Sequence, residues 1–169
     1  INLSRLQDAD PLLAAMTVEI DDVVRQAISN SQFHANDRKI ELFRGPLSHA
    51  TVIGDRNQLI SAIQNLIDNA INYSGDGTTV TINTEVIGDI VEIQVIDQGI
   101  GISESDIDRI FERFYRVDPA RSRETGGTGL GLAIVKHIAN RHQAQLVIES
   151  TPGKGSKFLL RFPKDRIKS

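Results

Sequence analysis

Apolar residues recur along the chain with two periods, and the switch from one to the other outlines the elements. In TVEIDDVVRQAISNSQF, Val18, Val23, Val24, Ala27 and Ile28 fall at helical spacing with Asp21 and Asp22 near the amino end, which predicts a helix over residues 17–33. In GDRNQLISAIQNLIDNAINYS the apolar positions are 59, 63, 66, 67, 70 and 71, one buried helical face, and Asp55 stands where a capping residue belongs. A third helical run covers 129–142. The period falls to two in TTVTINTEVI (78–87) and DIVEIQVID (89–97), and Gly88-Asp89 between them has the chemistry of a hairpin turn. AQLVIES (144–150), the turn TPGKG and SKFLLRF (156–162) predict a second hairpin. KIELF (39–43) and HATVI (49–53) are shorter strand-like pieces.

The order is helix, strands, helix, hairpin, a long polar stretch, helix, hairpin. A doubly wound fold would alternate strand and helix more regularly. This order predicts an α/β two-layer sandwich, with a mixed sheet of about five strands and about three helices on one face. Residues 1–15, broken at Pro11, are expected to be a helix tail and linker, residues 16–165 the domain, and 166–169 a short tail. The stretch from 99 to 128 is rich in polar residues and glycine, with helix-like pattern only at 104–111, and reads as a lid or loop.

Composition narrows the classes. Of 169 residues, 40% are hydrophobic and 24% charged, ordinary values for a globular chain with a real core. The net charge of −3 argues against general nucleic-acid binding. Cysteine is absent, which excludes disulfides and thiolate metal sites. No run is long and apolar enough to cross a bilayer, so no direct membrane contact is expected of this segment. The first residue is Ile1, and the chain is expected to be a piece of a longer protein.

Candidate chemistry centres on GGTGLGLAIVKHIA (126–139), where glycines open directly into a helical run. Gly126, Gly127, Gly129 and Gly131 let backbone N–H groups approach phosphate oxygens, and the helix that follows aims its positive end at them. Two common phosphate loops are excluded by spacing. TPGKGSKF lacks the Walker A arrangement, and neither GIGISE nor GTGLGLA has the third glycine of a dinucleotide fingerprint. Asn65 and Asn69 are four apart on one side of their helix, and an amide oxygen is a suitable ligand for Mg²⁺ already bound to phosphates. Asp97 ends a strand before two glycines.

Four segments in order, NLIDNAINYS (65–74), DQGIGI (97–102), IFERFYR (110–116) and GGTGLGL (126–132), resemble the asparagine, first glycine, phenylalanine and second glycine boxes of sensor histidine kinases. The ATPase domain of that family is shared with gyrase, the large heat-shock chaperone and the MutL proteins, and has the Bergerat-type ATP-binding fold. FYRVDPARSRETGGTGLGLAIVK is most similar to the phosphate-sensing PhoR-like group. The resemblance implies that Asp97 accepts a hydrogen bond from the exocyclic amine of adenine, that Asn69 binds Mg²⁺ with Asn65 beside it, and that Arg116 contacts phosphate or ribose. It also implies that Tyr73, Gly99, Gly101, Ile102, Tyr115, Gly127, Thr128, Gly129, Leu130, Gly131 and Leu132 line the ATP. Asn65 stands where the gyrase and chaperone branches carry a glutamate that activates water, so transfer is favoured over hydrolysis. Asn72 departs from the lysine found in many histidine kinases, and a direct phosphate role is not expected of it.

The four histidines read FHAN, SHAT, KHIA and RHQA, and none has the acidic follower of a phosphorylated histidine. His137 and His142 fall on the last helix, where packing or solvent-facing roles are expected. The acceptor histidine is therefore expected on a separate dimerisation domain, with onward transfer to the receiver domain of a response regulator. The parent is expected to be anchored in the bacterial membrane, with this domain in the cytoplasm. Two alternatives stay open: a serine kinase of the anti-sigma-factor type, and a non-catalytic nucleotide-binding module.

Overall fold

The computed structural model describes residues 16–99, 131–151 and 153–163. The expectations for the 1–15 linker, for residues 100–130 and for the 166–169 tail lie outside the described residues. Strand β1 (Met16–Glu19) leads into α1 (Ile20–Asp37), followed by β2 (Glu41–Arg44), β3 (Thr51–Gly54) and α2 (Arg56–Asn72). Strands β4 (Thr79–Ile87) and β5 (Ile90–Ile96) form the first hairpin; α3 (Gly131–Arg141), β6 (Gln145–Thr151) and β7 (Gly155–Phe162) complete the order. Strands β2-β4-β5-β7-β6 make a five-stranded sheet, parallel between β2 and β4 and antiparallel elsewhere. The mixed sheet and three described helices are the architecture that the hydrophobic pattern predicts.

Two local readings are corrected. The first helix begins at Ile20, not at Thr17, because residues 16–19 pair antiparallel with β3, Met16 opposite Gly54 and Glu19 opposite Thr51. β3 consequently joins this separate two-stranded ribbon and not the main sheet. Lys39 lies outside the KIELF strand, in the left-handed conformation with φ 57°.

Alternation decides which sheet face meets the helices. Val80, Ile82, Val91, Ile93, Val95, Phe158, Leu160 and Phe162 are all buried in the core. From the helix layer, α2 contributes Leu59, Ile63, Leu66, Ile67, Ala70 and Ile71. Asp55 caps α2 as its position predicts, its Oδ1 accepting the Gln58 N–H at 3.1 Å.

The residues of opposite parity carry a polar network. Glu92 faces Arg161 across the β5–β7 ladder and accepts from its Nε at 2.6 Å, while Gln94 donates to Glu92 at 2.5 Å. Burial alone pushes the Glu92 carboxyl up, but the hydrogen bonds from Arg161 and Gln94, with the charges of Arg161 and Lys157, hold it below its ordinary value. A depressed folded-state pKa contributes stability above the unfolded value, and that contribution is lost as pH falls through the folded value. Arg161→Met is therefore expected to lower stability by about 1–2 kcal/mol at neutral pH, the guanidinium being partly exposed. The deficit should shrink through the acid carboxylate range in denaturant titrations; a deficit that does not change with pH would show that the ion pair is not its cause.

Candidate functional site

The three described parts of the candidate site come from the end of β5, the flank of α2 and the start of α3. Asp97 follows β5 and is only 6% exposed. Its Oδ1 accepts two backbone N–H bonds, from Gly99 at 2.9 Å and from Ser156 at 3.0 Å. Its own N–H continues the ladder to the Ser156 carbonyl at 2.9 Å. Among the described residues both side-chain bonds end on Oδ1 and none on Oδ2. Burial pushes the Asp97 carboxyl above its ordinary value, and the two amide hydrogen bonds offset that only in part.

Glycine is required on both sides of this carboxylate. A Cβ on Gly99 would collide with the Tyr73 carbonyl at the end of α2, so the loop after β5 passes against that helix with no room for a side chain. Gly155 has φ 126° and its Cα faces the Asp97 carbonyl, which lets the β6–β7 turn deliver Ser156 to Oδ1. Gln98 reaches sideways, its Oε1 accepting the Thr79 N–H at 3.0 Å, and ties the loop to the start of β4.

Asn65 and Asn69 are half-buried on α2, one turn apart. Asn65 donates its Nδ2 to the Ser61 carbonyl at 2.8 Å, which orients the amide and leaves Oδ1 directed away from its own helix. A Cβ on Gly131 would sit 3.1 Å from that Oδ1, so the first residue of α3 lies directly against it. Among the described residues the Asn69 side chain makes no hydrogen bond. Tyr73 is the C-cap of α2, half-buried, its N–H on the Asn69 carbonyl at 3.2 Å. Leu132 packs partly buried on the core.

The structure therefore brings Asn65 to Gly131, and both Tyr73 and Asp97 to Gly99. Gly101, Ile102, Tyr115, Arg116, Gly127, Thr128, Gly129 and Leu130 lie outside the described residues. No group of three or more His, Cys, Asp or Glu suited to a metal occurs among the described residues. A divalent ion on this face would rely on amide oxygens and on ligand oxygens, which is the donor set Mg²⁺ accepts when it bridges phosphates.

Two residues were not found from the sequence. Ser156 acts through its backbone, so its side chain gives little signal, although it shares the inward parity of Phe158, Leu160 and Phe162. His142 is fully buried and accepts the Asp55 N–H on Nε2 at 3.0 Å, beyond the packing role expected of it. The signal was present: Val135, Ile138, Ala139 and His142 continue one helical stripe at i, i+3, i+4 and i+7.

The raised pKa of Asp97 has a thermodynamic sign. A group whose folded-state pKa is raised contributes stability below its unfolded value and loses it as pH rises through the folded value. Asp97→Asn keeps the shape and an acceptor for both amides while removing the buried charge. The variant without ligand is expected to melt at or above the temperature of the unsubstituted chain at pH 7, with the gap closing as pH falls through the carboxylate range. A variant that melts lower at pH 7 would contradict this account.

Comparison with known proteins gives the family. Residues 54–166 match the family described as histidine kinase-, DNA gyrase B-, and HSP90-like ATPase. The sensor-like histidine kinase SenX3 of Mycolicibacterium smegmatis is 47% identical over 164 residues, 97% of this chain and 43% of that protein. The phosphate regulon sensor protein PhoR of Haemophilus influenzae is 49% identical over 113 residues, 67% of this chain and 27% of that protein. The chain thus spans less than half the length of these curated relatives. Among solved structures, the mycobacterial sensor histidine kinase MprB superposes with a TM-score of 0.77 at 28% identity, covering 88% of this chain and 97% of that one. Full-length ShkA in complex with AMPPNP gives 0.81 at 25% identity, over 98% of this chain and 34% of that one. With a match across two-thirds of its length and the fold to go with it, the chain belongs to the histidine kinase-, DNA gyrase B- and HSP90-like ATPase family.

Proposed function

We propose that this chain is the catalytic, ATP-binding domain of a two-component sensor histidine kinase. The observation that carries the reading is the buried Asp97 carboxylate, fixed through Oδ1 by two backbone amides. Its remaining acceptor capacity suits the exocyclic amine of adenine, whereas guanine would present a carbonyl to a carboxylate. Such a bond to a charged acceptor contributes about 1.5–3 kcal/mol, roughly ten- to a hundredfold in affinity.

On this reading the phosphate tail runs from Asp97 along α2 toward the start of α3. Asn69, with Asn65 beside it, would hold Mg²⁺ through neutral amide oxygens, and the ion would offset charge on the phosphates during transfer. Gly127, Thr128, Gly129, Leu130, Gly131 and Leu132 would supply backbone N–H groups and the helix N-terminus to the phosphates. Tyr73, Gly99, Gly101, Ile102 and Tyr115 would line the nucleoside, and Arg116 would reach phosphate or ribose.

Asn65 sets the direction of the chemistry. Its amide takes no proton at neutral pH, so it gives water no general base. The γ-phosphoryl instead passes to an imidazole nitrogen of a histidine on a separate dimerisation domain: the N–P bond forms as the bond to the bridging oxygen breaks, and ADP leaves. An aspartate on a response regulator's receiver domain is the next acceptor. No described helix is long and apolar enough to cross a membrane. A cytoplasmic position beneath a membrane-anchored parent belongs to the same proposal.

Calorimetric titration is expected to show magnesium-dependent ATP binding and weak or no GTP binding. Asp97→Asn should weaken ATP about ten- to a hundredfold, and Asn69→Ala should chiefly reduce the magnesium-dependent part. Equal affinity for ATP and GTP would remove the adenine site. With labelled ATP and the parent's dimerisation domain, the expected product is acid-labile phosphohistidine, and acid-stable phosphoserine would assign the domain to a different kinase class.

A further inference from the structure

We infer that His142 is a positioning residue for the phosphate end of the nucleotide site: its neutral imidazole fastens the C-terminal end of α3 to the N-cap of α2 and sets how the two helices register. The inference rests on the reading of Asn65, Asn69 and the start of α3 as the phosphate-facing edge.

His142 directly follows α3 and is 0% exposed. Its Nε2 accepts the Asp55 N–H at 3.0 Å, and its Nδ1 lies 2.9 Å from the Ile138 carbonyl oxygen. An amide nitrogen only donates and a carbonyl only accepts, so the ring carries its proton on Nδ1 and is neutral. Phe162 meets the ring edge-on, with centroids 6.4 Å apart and planes at 86°. Gly54 closes another side; a Cβ there would sit 2.6 Å from the ring Cδ2 and 2.8 Å from Nε2. The imidazole is thus confined by α3, β7 and β3, and its one acceptor is directed at the residue whose side chain caps α2.

The same two helices meet at the other end in the candidate site, where Gly131 lies against Asn65. Asp55 to Asn65 and Gly131 to His142 each span about 15 Å of helix. The contacts therefore bracket one stretch of antiparallel pairing, with the site at one end and the imidazole at the other. Apolar packing between helices is non-directional, whereas a hydrogen bond is selective in distance and angle. Sliding α3 along α2 would break the Asp55 bond at one end and move the α3 N-terminus away from the asparagine amides at the other.

The test uses magnesium-ATP affinity of the full chain, measured by calorimetry. In His142→Gln the side-chain oxygen reaches the Nε2 position and still accepts from Asp55; in His142→Asn the amide nitrogen reaches only the Nδ1 position. The Gln variant is expected to stay near the unsubstituted chain and the Asn variant to bind about tenfold more weakly. Both lose the ring and its contact with Phe162, and equal affinities overturn the proposal. Gly54→Ala, which displaces the ring, should also weaken binding, yet add little to His142→Asn because both act on one bond; losses that multiply overturn it. Without any substitution, hydrogen exchange of the Asp55 amide should slow when ATP is added, since the coupling is reciprocal. An unchanged rate counts against His142, whereas a chain that binds no ATP removes the nucleotide reading beneath it.

Discussion

One helix has to serve the core and the candidate site at the same time, and the rest of the arrangement is measured from it. Leu59, Ile63, Leu66, Ile67, Ala70 and Ile71 of α2 are fully buried. Each large side chain in that stripe is worth about 1.5–3 kcal/mol when removed from water. Because successive residues turn by roughly 100°, burying the stripe fixes the azimuth of every other position on the helix. Asn65 and Asn69 have no freedom to choose their direction; the core chooses it for them. Gly99 then passes against the Tyr73 carbonyl at one end of this helix, while Gly131 abuts Asn65 farther up. The site is assembled on a rigid reference, and rigid elements hold functional groups more accurately than loops do.

Asp97 shows the opposite economy. Burial disfavours its charged form, and two backbone amides compensate only in part. The structure retains the group where the loop after β5 and the start of β7 each bring one amide to the same oxygen. An unfavourable buried charge held by satisfied amides is a preorganised acceptor: the cost of desolvation and orientation is met on folding and not again on binding. On the proposed reading, purine discrimination would follow from the same placement.

Legibility in the sequence follows the range of the interaction. The helices and hairpins were legible because periodicity needs only neighbouring residues, and the Asp55 cap is a contact three residues long. The four boxes were legible for the same reason, each being a short local string. β1 was not, because its four residues run straight into a helical pattern and their partner lies in residues 51–54. Ser156 and His142 were missed through distance of another kind. Ser156 reaches Asp97 across 59 positions and His142 reaches Asp55 across 87, and in both pairs one partner is a backbone N–H, which every residue but proline carries. A donor common to nearly all residues leaves no mark on composition or spacing; only the fold shows which one is used. Parity and helical phase did mark both as buried polar positions, and a polar residue on a core stripe is a question that sequence can raise even where it cannot answer it.

The identity of residue 65 reaches furthest into function. Its amide is turned by the Ser61 carbonyl so that Oδ1 faces the start of α3, which makes it a fixed neutral oxygen. A neutral oxygen can help hold a cation or accept a hydrogen bond, but it cannot remove a proton from water in a transition state. Transfer to an imidazole would need no base at this position, because the attacking nitrogen of a neutral ring carries no proton to be removed. A glutamate at the same place would supply water with what it lacks and set hydrolysis in competition with transfer. On the proposed reading the binding machinery could serve either outcome, and the amide at residue 65 would tilt it toward an acceptor that brings its own nucleophile. Selectivity on that reading divides in two: this fold would choose the purine and disfavour water, while the docking of a separate histidine would choose where the phosphoryl group goes.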